Sequence, residues 1–321
     1  MANFISNWSS KAESLPEDYV VPTKLRPGTP APIFKDIPVI DLGGDDRVGI
    51  VQKVLKAARD FGMFQVINHG ISESLMFDTV RVFKEFFGMP VEEKEKVLLE
   101  DYWRLLFSDF KYWKDTLHIP CDLRSQTQTW SEKPQKYREI IEPYIIEVRK
   151  LGMRILDLIY DGLNFSKKDS NDETTQALLI NHYPVCPDPS LALGACHHCD
   201  PHILTLLQQD VYGLQLLKDG EWFGIEPIPN AFVINTGILL EIISNGILKS
   251  AMHRAITNST SSRTSIVTFI GSNPERTIEP SSSLVSPQTP PLFKSFKCKD
   301  FHEIFFSKTV DYEATMEHFK L

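Results

Sequence analysis

The sequence has little cysteine, no excess of positive charge and no long apolar run, and each shortage excludes a class of protein. Five cysteines among 321 residues are few and odd in number, which favours reduced thiols over a disulfide framework. A formal net charge of −8 gives no electrostatic reason to expect nucleic acid or an anionic membrane as a partner. No segment reaches about 18 uninterrupted apolar residues, and the first residues carry no apolar core of a signal peptide. We therefore expect a cytoplasmic protein that binds neither nucleic acid nor a membrane.

The composition is that of an ordinary globular protein, because 42% of the residues are hydrophobic and 24% are charged. Pro22, Pro27, Pro30 and Pro32 punctuate residues 1–35, which predicts an extended arm laid over the body. The apolar pattern that follows predicts two strands, over 37–42 and 63–68, and three helices, over 47–61, 72–87 and 134–163. Residues 100–130 are rich in aromatic side chains but show no clean period, so no conformation is predicted for them.

The second half changes to short β-rich runs separated by Gly, Pro and Asn, which predicts a sandwich or barrel. The predicted strands cover 178–183, 203–208, 214–217, 222–225, 232–235, 255–257 and 265–271. The tail from residue 278 is Pro-rich and then aromatic, which predicts a helix closing over the sheet. The predicted fold is mainly β with packed helices. It comprises a helix and strand part over 1–173, a β core over 174–275 and a closing tail over 276–321.

A candidate metal site lies in the β-rich half. His198 and Asp200 stand two residues apart, so on a β-strand their side chains leave the same face and can reach one metal ion. His253 is the third candidate ligand. His197 stands three residues from Asp200, which places the two side chains on opposite faces, so we expect it outside the ligand set. Two imidazoles and one carboxylate suit non-haem Fe(II), because they fill one side of the octahedron and leave positions for a cosubstrate and O2.

Competing interpretations of these residues are weaker. A lone H-x-D motif says little, but His253 and an R-x-S motif ten residues after it strengthen the metal interpretation. The pair Cys196 and Cys199 could suggest zinc, yet structural zinc normally takes four Cys or His ligands and the sequence holds no second C-x-x-C motif. His182 and His202 we interpret as structural.

The segments around this site resemble a known family. Residues 181–187, 204–210, 213–215, 244–246 and 263–265, in that order and spacing, are similar to the plant soluble 2-oxoglutarate- and Fe(II)-dependent dioxygenases. Residues 60–70 look like the N-terminal signature of the same family. The resemblance covers nearly the whole chain. It implies a double-stranded β-helix, the jelly-roll form, for the core, with Fe(II) as cofactor, 2-oxoglutarate and O2 as cosubstrates and ascorbate in a supporting role.

The resemblance also implies roles for the residues around the metal. Arg263 would take the distal carboxylate of 2-oxoglutarate in a paired hydrogen bond, for which the geometry and permanent charge of arginine are suited, although a surface position is the commoner fate of an arginine. Ser265 and Tyr183 would donate hydroxyl hydrogen bonds to the same carboxylate, and Asn181 would lie near the keto-acid end. The predicted substrate pocket is lined by Phe269, on the strand face of Ser265, and less strongly by Trp113, Leu179, Met252 and Phe296.

The substrate class is predicted from the same resemblance. Residues 1–9 and 112–117 look most like alkaloid-modifying members of the family, so we expect a monomeric enzyme that oxidises a C–H bond of a plant alkaloid. The family usually has Asp where this chain has Ile238, which changes the polarity of the pocket but removes no ligand. Three alternatives stay open: oxidation of a flavonoid or other phenolic, a 2-oxoglutarate-independent oxidase, and a catalytically silent binding protein. The choice between hydroxylation, desaturation, ring closure and demethylation is also open.

Overall fold

The described strands form two facing sheets and a separate two-stranded sheet. The structure is a computed structural model that describes residues 4–95, 111–121, 134–165, 174–308 and 311–321. The strands are β1 (Val39–Asp41), β2 (Met63–Ile67), β3 (Asp115–Pro120), β4 (Thr174–Tyr183), β5 (Leu193–His198), β6 (Leu204–Gln209), β7 (Leu214–Lys218), β8 (Glu221–Ile225), β9 (Phe232–Thr236), β10 (His253–Ile256), β11 (Arg263–Ser272), β12 (Thr277–Ile278) and β13 (Phe296–Lys297). The larger of the facing sheets has the order β1-β2-β9-β6-β11-β4-β3, the smaller has the order β5-β10-β7-β8, and the separate sheet consists of β12 and β13.

The helices lie on the N-terminal and C-terminal parts of the chain. They are α1 (Arg47–Asp60), α2 (Glu73–Gly88), α3 (Val91–Glu95), α4 (Tyr137–Leu163), α5 (Ile238–Ile243), α6 (Cys298–Ser307) and α7 (Tyr312–Phe319). The side chains of Asp46 and Ser72 cap the first turns of α1 and α2 by accepting hydrogen bonds from backbone N–H groups. None of the helices in the described ranges is long and apolar enough to cross a membrane.

The alternation of side chains along the large sheet separates two cores. On β11, Ile266 and Ile270 point outward into the core formed with the helices, whereas Val267 points inward and packs with the smaller sheet. Helix α4 lies directly against the outer face, since a Cβ added at Gly152 would stand 3.0 Å from Ile270 and 3.2 Å from Leu206. The inward face, between the two sheets, is therefore where polar side chains can meet a ligand.

The predicted jelly-roll core with packed helices is confirmed, and the differences are local. Strands β3 and β5 had no predicted counterpart. The tail forms two helices where one was predicted, and short 3-10 turns interrupt the predicted extended arm. Of the unassigned stretch 100–130, residues 111–121 contain β3 and the remainder lies outside the described residues.

The N-terminal arm is attached to the start of β3 by a buried charged pair. The carboxylate of Asp115 accepts hydrogen bonds from the backbone N–H groups of Ile5, at 2.7 Å, and Ser6, at 2.8 Å. The ammonium of Lys94 donates to Ser6 Oγ at 2.9 Å and to the carbonyl of Phe87 at 2.8 Å. Burial lowers the pKa of Lys94 to about 8 and raises the pKa of Asp115. These contacts fix the edge of the large sheet on which β3 lies.

Candidate metal centre

Three side chains converge where the smaller sheet meets the turn after β5. His253 at the start of β10 is paired directly with His198 at the end of β5, and their ring centroids are 4.3 Å apart. The Nε2 atom of each ring lies 3.8 Å from Oδ1 of Asp200. The candidate ligand atoms all lie within 4.8 Å of one another, which is the spacing needed to hold one metal ion. The triad predicted from the sequence is therefore assembled in the structure.

Backbone carbonyls fix the orientation of both imidazoles. Nδ1 of His198 donates to the carbonyl oxygen of Cys196 at 2.8 Å, and Nδ1 of His253 donates to that of Ala251 at 2.9 Å. With the proton held on Nδ1, each ring presents the lone pair of Nε2 toward Asp200. Burial, and then the neighbouring His253, lower the pKa of His198. The neutral form, which is the form that binds a metal, is thus favoured.

The carboxylate of Asp200 is held ionised and oriented. Burial on its own raises the pKa of Asp200, but His253, His198, Thr205 and His202 together lower it below its usual range. Nδ2 of Asn235 donates to Oδ2 of Asp200 at 3.2 Å, which leaves Oδ1 for a metal ion. The backbone N–H of Ile238 donates to the carbonyl of Asp200 at 2.8 Å. Ile238 itself is fully buried, so the side chain that replaces the usual Asp packs into the core.

The predicted anion anchor lies on the inward face of β11. Arg263 is only 3% exposed. Its Nε donates to the carbonyl of Val211 at 3.0 Å, and its Nη2 donates to Oε1 of Gln209 at 2.9 Å. Its Nη1 is buried and has no hydrogen-bond acceptor among the described residues. Burying a guanidinium N–H without an acceptor is costly, and a ligand carboxylate would supply the missing acceptor.

The other predicted cosubstrate residues surround this guanidinium. Tyr183 is paired with Arg263 across β4 and β11, and its ring lies 4.9 Å from the guanidinium carbon. Ser265 is paired with Asn181 in the same ladder. The sequence thus predicted four residues that the structure brings onto one face, although their contacts with 2-oxoglutarate stay a prediction.

Two glycines leave the space that this arrangement needs. A Cβ added at Gly213 would stand 2.7 Å from Cδ of Arg263. A Cβ added at Gly194 on β5 would stand 2.4 Å from the ring of Tyr183. The smaller sheet therefore approaches the anchor closely at both points, and a side chain at either position would displace it.

The candidate pocket residues divide into two groups. Phe269 and Leu179 lie on the inward face with Ser265 and Asn181, and the ring of Phe269 lies 4.2 Å from that of His202. Met252 directly precedes the ligand His253 and is half-buried. These positions are compatible with the predicted pocket, which stays a prediction.

The other two pocket candidates lie elsewhere. Trp113 is fully buried, packs edge-on against Trp8 and Tyr19 of the arm, and donates from Nε1 to the carbonyl of Pro184 at 3.0 Å. Phe296 packs against Phe319 of α7 with 4.2 Å between ring centroids. Both aromatic rings thus pack against the chain termini, and their pocket role stays a prediction.

The remaining histidines follow the sequence interpretation in part. His182 points to the outer face, where it stacks on Phe87 at 5.1 Å, as expected of a structural residue. His197 is exposed, and its ring lies 6.5 Å from that of Trp222. His202 was interpreted as structural, but it lies against Phe269 beside the metal ligands. Cys196 and Cys199 are free thiols, as are the other three cysteines.

Sequence analysis missed two supporting groups. Asn235 was not singled out, although it orients Asp200. Lys114, which directly precedes β3, and Thr116 of β3 both donate to Asn181 Oδ1, at 3.0 and 3.1 Å. The two donors and the asparagine come from segments separated by more than sixty residues of sequence, so no local pattern links them.

Comparison with known proteins extends these observations over the whole chain. The 2OG-Fe(II) oxygenase superfamily matches residues 174–272, and the family described as non-haem dioxygenase in morphine synthesis N-terminal matches residues 37–141. Among solved structures, the crystal structure of JOX2 in complex with 2OG, Fe and JA has a TM-score of 0.88 at 31% sequence identity, covering 100% of this chain and 98% of that chain.

Two relatives of similar sequence carry the names of different activities. The chain is 41% identical to hyoscyamine 6-dioxygenase of Hyoscyamus niger, over 100% of this chain and 99% of that protein. It is 34% identical to flavanone 3-dioxygenase 2 of Oryza sativa subsp. japonica, over 96% of this chain and 95% of that protein. The likeness to both relatives therefore includes the segments that carry the metal triad and the anion anchor.

Proposed function

Because the chain belongs to the 2OG-Fe(II) oxygenase superfamily, we propose that it oxidises a C–H bond of a plant specialised metabolite, and specifically of an alkaloid. The enzyme class and its dependence on Fe(II) and 2-oxoglutarate follow from family membership. The observation that carries the class at the level of residues is the assembled triad of His198, Asp200 and His253, together with the buried Nη1 of Arg263 that has no acceptor among the described residues.

The balanced reaction is 2-oxoglutarate plus O2 plus R–H giving succinate, CO2 and R–OH. Bound iron supplies the redox chemistry, and the protein supplies position and exclusion of water. His198, His253 and Oδ1 of Asp200 would occupy one side of the metal and leave the other side open. Arg263 would bind the distal carboxylate of 2-oxoglutarate, with hydroxyl hydrogen bonds from Ser265 and Tyr183. The cosubstrate would then extend from β11 toward the triad.

The substrate assignment has two supports. Identity of 41% with hyoscyamine 6-dioxygenase over the full length favours an alkaloid. The second support is the inward face itself, where Leu179, Val267 and Phe269 present apolar and aromatic side chains. An aromatic wall would suit a protonated amine through a cation-π contact of about 0.5 to 2 kcal/mol. Hydroxylation is the expected outcome, and a different substrate pose would give desaturation, ring closure or demethylation.

A flavonoid is the second candidate substrate, because flavanone 3-dioxygenase 2 is 34% identical over 96% of the chain. Two further alternatives concern the chemistry. In an oxidase that uses no 2-oxoglutarate, Arg263 would hold a carboxylate of the substrate itself. A catalytically silent binding protein would retain the triad without turnover. Formation of succinate separates both alternatives from the proposed enzyme.

Competitive turnover on a panel of tropane, benzylisoquinoline and flavonoid compounds tests the proposal, with succinate assay and product mass spectrometry. We expect one tropane or benzylisoquinoline compound to gain the mass of one oxygen, with equimolar succinate. Desaturation, ring closure or demethylation of such a compound would support the alkaloid assignment equally. Oxidation of flavonoids alone would overturn the alkaloid assignment and leave the dioxygenase assignment intact. No succinate with any compound, and no O2 uptake, would favour the silent binding protein.

The remaining expectations about the setting of the enzyme belong to the same proposal. The free state of the five cysteines is consistent with a reducing compartment such as the cytoplasm. The net charge of −8 disfavours nucleic acid and anionic membranes as partners. We propose a monomer that acts on a small molecule, which sedimentation of the purified enzyme at micromolar concentration would test.

A further inference from the structure

We infer that Lys114 and Thr116 set the rotation of the Asn181 carboxamide, so that its N–H group and not its carbonyl faces the keto acid. This inference rests on the proposed function, because it concerns how the same site binds 2-oxoglutarate. It adds two positioning residues, one directly before and one within the edge strand β3, which contributes no metal ligand. It also gives the N-terminal arm a part in supporting the site.

The geometry begins with the pairing of β3 and β4. Thr116 is paired directly with Asn181, and Oγ1 of Thr116 donates to Oδ1 of Asn181 at 3.1 Å. The ammonium of Lys114 donates to the same Oδ1 at 3.0 Å. One carbonyl oxygen thus accepts two hydrogen bonds from the same edge of the sheet.

The chemistry of these donors fixes the orientation of the amide. An ammonium can donate hydrogen bonds but cannot accept one, so the amide atom that faces Lys114 must be the oxygen. The Nδ2 end of Asn181 then lies on the opposite side, toward β11, where Ser265 is its paired residue. Asn181 is only 5% exposed, so a rotated amide would place its donor against Lys114 and its acceptor toward the cosubstrate. Both consequences are unfavourable.

The position of Lys114 relates this effect to the metal centre. The backbone N–H of the preceding residue, Trp113, donates to the carbonyl of Leu193 on β5 at 2.9 Å, so Lys114 lies beside the strand that ends at the ligand His198. A carboxylate bound at the iron would meet Nδ2 of Asn181, a hydrogen-bond donor. If the amide were reversed, the carboxylate would meet a carbonyl oxygen and be repelled.

The arm supports this arrangement from the other face of β3. Asp115 lies between Lys114 and Thr116 in sequence, so its side chain leaves the opposite face of the strand. There it accepts the hydrogen bonds from Ile5 and Ser6 of the arm. The arm therefore stabilises β3, the strand whose Thr116 orients the Asn181 side chain.

A double-mutant cycle on Lys114 and Asn181 tests the inference. The variants are Lys114→Met, Thr116→Val, Lys114→Arg, Asn181→Ala and the double variant Lys114→Met/Asn181→Ala, with Lys150→Met as the control. Lys150 is an exposed lysine of α4 that contacts Glu147 at 2.6 Å. The readouts are the dissociation constant for 2-oxoglutarate, from anaerobic titration of the visible charge-transfer band of the Fe(II) enzyme, and the separate kcat and KM values.

We expect Lys114→Met to raise the dissociation constant and KM for 2-oxoglutarate about two- to twelvefold, the effect of one net hydrogen bond, and Thr116→Val to act in the same direction. Lys114→Arg should restore binding, because a guanidinium also only donates. In the Asn181→Ala background, Lys114→Met should have no further effect. The control should match the wild type.

Three results would overturn the inference while leaving the proposed function intact. One is unchanged 2-oxoglutarate binding in Lys114→Met and Thr116→Val. The second is an undiminished effect of Lys114→Met in the Asn181→Ala background, which would show that Lys114 touches the cosubstrate itself. The third is a rise in KM for the organic substrate alone. By contrast, a wild-type protein that gives no charge-transfer band with Fe(II) and 2-oxoglutarate would overturn the proposed function.

Discussion

Replacing Arg263 by lysine removes the hydrogen bond that Nη1 is proposed to donate to the distal carboxylate of 2-oxoglutarate. In the wild type, Nε and Nη2 are already used by the carbonyl of Val211 and by Gln209, and Nη1 is the atom left for a ligand. A lysine ammonium at the end of a shorter, non-planar side chain cannot serve all three acceptors in these directions. We therefore expect the loss to fall mainly on the cosubstrate.

The magnitude follows from the kind of hydrogen bond that is lost. A hydrogen bond to a charged group contributes about 1.5 to 3 kcal/mol, and every 1.4 kcal/mol is about tenfold in a dissociation constant. Arg263→Lys should therefore raise KM for 2-oxoglutarate by about 10- to 150-fold. The KM for the organic substrate should change much less, because the guanidinium is proposed to bind 2-oxoglutarate and not that substrate.

Steady-state kinetics with 2-oxoglutarate as the varied substrate measures this effect, and two further variants sharpen it. Gly213→Ala keeps every donor but places a Cβ 2.7 Å from Cδ of Arg263, so it should also raise KM for 2-oxoglutarate. Arg149→Lys is the control, because Arg149 contacts Thr174 at the far end of β4. An unchanged KM in Arg263→Lys, or an equal rise in Arg149→Lys, would refute the assignment of the anchor.

Three further outcomes are expected. Asn235→Leu removes the hydrogen bond to Asp200 and should weaken Fe(II) binding about 10- to 100-fold in an anaerobic metal titration, and unchanged affinity would contradict the orienting role. His197→Ala should change kcat/KM less than about twofold, as is usual for an exposed side chain outside the ligand set, and a loss of all turnover would place this histidine among the ligands. Asp115→Asn removes the charge that accepts the hydrogen bonds from Ile5 and Ser6 and should lower the free energy of unfolding in urea by about 1.5 to 3 kcal/mol, and an unchanged midpoint would show that this carboxylate does not hold the arm.

The parts of the fold that the sequence predicted are those with a strong local period. Helix α4 was predicted over 134–163 and observed over Tyr137–Leu163, because one apolar stripe faces the sheet along its whole length. Strand β5 was missed because Leu193–His198 contains Gly, Ala, Cys and two His, which have no strong β pattern. Its conformation is determined by pairing with β10. The local sequence of β5 carries no information about this long-range contact.

The difference between local patterns and long-range contacts also explains which site residues could be predicted. The spacing of His198 and Asp200 reveals two ligands because strand geometry relates neighbours two residues apart. The packing of Trp113 against Trp8, more than a hundred residues earlier, could not be predicted from its aromatic character. Lys114 acts on Asn181 at a separation of 67 residues. Such long-range contacts follow from the tertiary fold and carry no signature in a single sequence.

Anaerobic addition of Fe(II) and 2-oxoglutarate to the apoprotein is the most direct test of an iron and 2-oxoglutarate centre at His198, Asp200 and His253. The account predicts a weak visible charge-transfer band that needs both additions, saturates at one equivalent of iron and is lost in Asp200→Ala while that variant stays folded by circular dichroism. A wild-type protein that shows no band at any concentration, or an Asp200→Ala variant that keeps the full band, would contradict the account.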